Sequence, residues 1–311
     1  MYRGGRETVI GGGEESALTP ASLIRLTHFP VPPNLQAFFT TSFMLECDER
    51  DISDTLPAAV GYLAIVLEGK GSLRFASGRT DAAHPETLLA PTNAAVGLEV
   101  AGPLRMVAVA LAPLGWIALT GRDAAQWADR VDDAGAVLGE AINRLGDDLR
   151  AGWRAGRMAV PDLAAAMVAD LATRLAPIDP AHARLARTIS DWLSTSLDPA
   201  LADLHAAAGY SPRQIQRLTM RYFGCSPKLL MRKYRALRVA ALLQAPGLPE
   251  AKIAELFNLF YDQSHLIREI RHFTGRTPQR LMADRENVLS KANSLENYTR
   301  IKPNIARIPD D

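Results

Sequence analysis

Apolar residues in the first half of the chain come in short runs separated by turn formers. Residues 59–68 and 72–76 read as strands joined by a hairpin at Gly69-Lys70-Gly71. Residues 86–90, 94–100 and 104–112 continue the series, punctuated by Pro91 and Gly102-Pro103. Short strands at this spacing predict a small antiparallel barrel or sandwich. The period then lengthens. Residues 123–129, 134–152 and 161–175 are Ala/Leu-rich and amphipathic at helical spacing. Pro177 and Pro180 mark a linker, and 181–282 is helical by period, cut by short turns. The predicted class is α+β, a β-rich half with trailing helices followed by an all-α half. Four regions are expected: a disordered leader at 1–20, an effector-binding or dimerisation domain at 21–177, a DNA-binding domain at 181–283 and a disordered tail at 286–311.

The helical half repeats itself at an offset of 51 residues. Gly224-Cys225-Ser226-Pro227 returns as Gly275-Arg276-Thr277-Pro278, and Ile215, Arg217 and Tyr222 return as Leu266, Arg268 and Phe273. Ser211 and Asp262, both good N-cap residues, open the equivalent helices. In the first copy, the helix at 201–208 stops at Gly209, which adopts the left-handed turn cheaply. Ser211-Pro212-Arg213-Gln214 then supplies N-cap, N1 proline and capping box. Ile215, Leu218 and Tyr222 share the inner face, which leaves Arg213, Gln216, Arg217 and Met220 outward, with Arg221 in the last turn. Arg and Gln carry the forked donors that match guanine and adenine edges in the major groove. Two helices with a tight turn and such a free face describe a helix-turn-helix. The second copy runs from 253–258 through the turn Leu259-Phe260-Tyr261 to a helix whose candidate contacts are Gln263, Ser264, His265, Ile267 and Arg268. Between the copies, residues 226–244 form a long amphipathic helix. Its Lys228, Arg232, Lys233, Arg235 and Arg238 read as phosphate contacts or as a solvated face.

Charge supports this division. Residues 21–180 hold 13 Lys+Arg against 19 Asp+Glu, whereas 181–282 hold 15 against 7. An excess of +8 suits a polyanionic partner, duplex DNA. The two cysteines, Cys47 and Cys225, lie in no metal-ligand spacing and predict neither disulfides nor zinc, in keeping with a cytoplasmic protein. Only His28 and His84 occur in 2–180, too few for a metal-binding barrel, and no phosphate loop or nucleophile elbow is present. No cofactor, no membrane span and no enzymatic activity are expected. The alternative is a helix-turn-helix protein fused to a DNA-repair or other enzymatic domain, with Cys225 as its candidate nucleophile.

The segment SPRQIQRLTMRYFGCSPKLLMRKYRALRVAALL resembles the first helix-turn-helix and linker helix of the AraC/XylS family of bacterial transcription factors. FYDQSHLIREIRHFTGRTPQRL is similar to the second helix-turn-helix and closing helix. The resemblance implies base-reading positions at Arg213, Gln216 and Arg217, then Gln263, Ser264, Ile267 and Arg268. It also implies a cupin-like β-barrel with trailing helices before them, a small-molecule effector at residues the sequence does not name, a homodimer and contact with RNA polymerase. LAPLGWIALTGRDAAQWADRV is similar to a segment that follows the last strand in such regulators. Two positions depart from the pattern: Thr219 replaces a large core residue, and Leu259-Phe260 replaces the glycine of the second turn.

Overall fold

The computed structural model describes residues 18–245 and 247–283. The expected tail, and all but the last three residues of the expected leader, lie outside the described residues.

The first half is one antiparallel sheet of β1 (Ile24–Phe29), β2 (Phe39–Cys47), β3 (Asp51–Leu56), β4 (Tyr62–Arg74), β5 (Thr80–Ala82), β6 (Glu86–Leu89), β7 (Val96–Leu111) and β8 (Val131–Asp133). The order is β1-β2-β7-β4-β6-β8, with β3 also on β7 and β5 also on β4. Gly69-Lys70-Gly71 is not a hairpin: β4 runs through it for 13 residues, and β7 runs through Gly102-Pro103 for 16. The irregularities face each other. The β4–β7 register shifts around Gly69, whose φ is +97°, and a Cβ there would press on the Pro103 carbonyl. Facing bulges bend this long antiparallel pair without ending it. Beyond the bend β7 exchanges neighbours, taking β3 along Val96–Ala101 and β2 along Leu104–Leu111.

Alternation along the strands then separates two faces. Leu63, Ile65, Val107, Val109 and Met44 are completely buried beneath α1 (Pro113–Thr120) and α5 (Val160–Thr173). Tyr62, Ala64, Val66, Thr41, Phe43, Leu45, Met106 and Ala110 line a cavity of about 1200 Å³ on the other side. The intervening helices are α2 (Ala124–Trp127), α3 (Ala134–Leu138) and α4 (Glu140–Arg154), the last two separated at Gly139, φ +92°.

The second half is α6 (Pro180–Leu193), α7 (Leu201–Ala208), α8 (Pro212–Phe223), α9 (Pro227–Leu243), α10 (Glu250–Phe257), α11 (Gln263–Thr274) and α12 (Pro278–Ala283). Pro180 is not a free joint: it occupies the first turn of α6, capped by Asp179. A single apolar core continues from Leu63 and Trp116 into Tyr222, Tyr234 and Phe273.

Candidate nucleic-acid interface

Local chemistry builds the first helix pair. Gly209 ends α7 at φ +66°, and Ser211 caps α8 with a reciprocal capping box, its N–H donating to Gln214 Oε1 at 3.1 Å. Ile215, Leu218 and Tyr222 are buried, whereas Arg213, Gln216, Arg217 and Arg221 are exposed and Met220 is half-buried. Thr219 fits the core because its hydroxyl donates to the Ile215 carbonyl at 2.7 Å.

The second pair closes its turn without glycine. Phe260 is buried beneath the Arg235 guanidinium, 4.8 Å from its ring centroid, and no residue from 258 to 262 needs positive φ. Asp262 caps α11, accepting the His265 N–H at 2.6 Å. His265 also packs against the turn. Its ring is half-buried edge-on to Phe260, and Nδ1 accepts the Tyr261 N–H at 3.4 Å, so it braces the turn. Gln263, Ser264, Ile267 and Arg268 are exposed. Among the described residues, Arg213, Arg217, Arg221 and Arg268 form no ion pair.

The basic residues of α9 correct the phosphate-contact expectation. Only Lys228 is exposed. Lys233 is buried and donates to the carbonyls of Ala59, 2.9 Å, and Thr92, 2.7 Å. Arg235 pairs with Asp198, and Arg238 donates to the Leu193 carbonyl. Arg232 forks onto Glu269 of α11. Burial raises the Glu269 pKa, but the hydrogen bonds and charge of Arg232, with His265 and Arg235, outweigh this and hold it below its ordinary value. Glu269 stands where the first copy has the core residue Leu218, so the repeat replaces an apolar contact with an ionic one. Part of the +8 excess is therefore structural rather than available to a polyanion.

Both repeat turns dock on the sheet domain. Asn93 Nδ2 donates to the Gly224 carbonyl after α8, at 3.1 Å, and Asn93 is itself held by Asp129, a non-glycine residue at φ +58°. At the end of α11, the Phe273 carbonyl accepts from Ala58 N and the His272 carbonyl from Ala95 N, both at 2.8 Å. Arg276 donates to Asp54 and to the Thr55 carbonyl. Residues 54–60 and 92–95 thus form a clasp that grips α8, α9 and α11. The inner side of the same clasp, with Leu56, Pro57, Ala58, Ala59, Val60 and Thr92, lines the cavity, which Tyr234 and Leu237 of α9 also reach. Sequence reasoning missed the clasp entirely, since Asp54 and Asn93 belong to no motif and the repeat motif that holds Arg276 does not reveal its partner.

Among the described residues no His/Cys/Asp/Glu group could hold a metal ion, and no helix is long and apolar enough to cross a membrane. Residues 204–284 match a family model described as a helix-turn-helix domain. No curated protein matches the chain. The fold is similar to ToxT from Vibrio cholerae O395, at 11% identity and TM-score 0.43, over 80% of this chain and 98% of that one. It is also similar to the AraC-like transcriptional activator CuxR, at 13% identity and TM-score 0.27, over 70% and 87%. Residues 204–284 therefore carry a helix-turn-helix domain.

Proposed function

We propose that the chain reads promoter DNA with two unlike helices, α8 and α11, and that a small molecule in the cavity controls how the clasp holds them. The observation that carries the reading is the pair of exposed faces at the 51-residue offset, with arginines that form no ion pair among the described residues. Arg213, Gln216, Arg217 and Arg221 serve the first unit; Gln263, Ser264, Ile267 and Arg268 serve the second, with His265 behind them. The 17 residues of α9 span roughly 26 Å. This approaches the ~34 Å between successive major-groove segments on one side of B-DNA. One chain then covers two dissimilar subsites. A homodimer in the cytoplasm and contact with RNA polymerase belong to the same proposal, on the family resemblance.

Control follows from rigidity. The clasp is a shared wall, so a ligand that displaces residues 56–60 alters the anchoring of α9 and of the end of α11 together. An enzymatic role for Cys225 finds less support, because burial pushes its thiol up to about 11 and leaves it protonated and poorly nucleophilic. The test is binding of the full chain to a selected promoter duplex and to random duplex at two salt concentrations. A preference for the selected duplex that survives as both affinities fall supports the proposal. Equal affinity for both duplexes throughout rejects it.

A further inference from the structure

We propose that the cavity takes an uncharged, flat aromatic molecule whose hydroxyl or carbonyl oxygen is held by the Tyr62 phenol; this rests on the reading of the cavity as an effector site. The register places Thr41, Ala110 and Tyr62 in one row across the sheet and His28, Phe43, Ala108 and Ala64 in the next. The alanines leave a low floor between rings. The His28 and Phe43 centroids are 6.0 Å apart, and Phe43 stands edge-on to Tyr62 at 6.1 Å. Trp153 of α4 and Tyr234 of α9 add further ring surface. Such a surround favours a planar ring system, which gains edge and stacking contacts beyond its buried area.

The polar groups at this floor are neutral. Thr41 Oγ1 donates to the Ser42 carbonyl at 3.1 Å and lies within hydrogen-bond distance of His28 Nδ1 at 3.3 Å. Burial lowers the His28 pKa and pushes the Tyr62 phenol up to about 12, so neither group is charged at neutral pH. The phenol has no hydrogen-bond partner among the described residues and opens on the cavity, which leaves a donor for a ligand oxygen. The charged lining residues are Glu68 and Lys70, further along β4 than Tyr62, and Asp147, Arg150 and Arg154 on α4. Arg150 is engaged by Glu86 and Asp147. An anionic head at Tyr62 would lose its hydration without a counter-charge, whereas a hydroxyl or carbonyl exchanges one hydrogen bond for another.

The test titrates the full chain with 9-anthracenemethanol and with anthracene-9-carboxylate, which share a ring system, and follows anthracene anisotropy. The alcohol is expected to bind at least tenfold more tightly. Tyr62→Phe, which keeps the ring, should weaken the alcohol about three- to tenfold and leave the carboxylate unchanged. Equal affinities, or an alcohol indifferent to Tyr62→Phe, overturn the proposal. Tighter binding of the carboxylate, abolished by Lys70→Ala or Arg154→Ala, also overturns it and locates an anion site at the β4 and α4 cations while the effector reading stands. If neither probe binds, and Ala110→Trp leaves promoter binding unchanged, the effector reading falls with it.

Discussion

Arg276, one residue past the glycine that ends α11, donates to the carboxylate of Asp54 on β3, with side-chain exposures of 5% and 1%. The pair joins residues 222 positions apart, and thereby the end of α11 to the wall of the cavity. A buried ion pair adds little net stability against an apolar pair, but removing one partner strands a charge at a cost of about 3–5 kcal/mol. Arg276→Met should destabilise the chain by that amount in urea unfolding, and Arg276→Met with Asp54→Leu should recover much of the loss. Additive losses would mean that the two residues do not depend on each other.

Glu269 makes a second prediction, this time about pH. Its folded pKa lies below the ordinary 4.5, so its contribution is present above 4.5 and lost as pH falls through the depressed value. Glu269→Gln and Arg232→Ala should each lower the unfolding midpoint at neutral pH, and Glu269→Gln should flatten its decline below about pH 4.5. An Arg232→Ala variant of full stability that binds all DNA more weakly would restore Arg232 as a phosphate contact.

The exposed faces should separate specific from general contacts. Arg217→Ala and Arg268→Ala are each expected to weaken a specific duplex by about 1–3 kcal/mol with little effect on random duplex. Lys228→Ala should weaken both alike and reduce the salt slope. Equal losses on both duplexes for Arg217→Ala would move that residue into the phosphate class.

What the sequence revealed was governed by local chemistry. Ser211, Gly209, Asp262 and Gly275 act within a few residues of themselves, so helix limits and the repeat could be read directly. β1 to β3 escaped because β2 is covered on both faces: buried residues such as Phe39, Ser42, Met44, Leu45 and Cys47 fall on either side and blur the two-residue alternation. Gly69 and Gly102-Pro103 read as strand ends although they are facing bends, a distinction set by pairing between distant residues. The sidedness of α9 was hidden for a similar reason. Helical period puts Lys233, Arg235 and Arg238 on recognisable faces, but only the fold supplies the Ala59 and Thr92 carbonyls, Asp198 and the Leu193 carbonyl that occupy them. His265 likewise looked outward until Phe260 turned inward beside it.

The most direct test of two-helix reading is a footprint of the full chain on its selected promoter, compared with Arg217→Ala and Arg268→Ala. Two protected major-groove segments about ten base pairs apart are predicted. Each substitution should erase one segment and leave the other. A single protected segment, lost with Arg217→Ala and unaffected by Arg268→Ala, would contradict the account, because α11 would then be no reader of DNA.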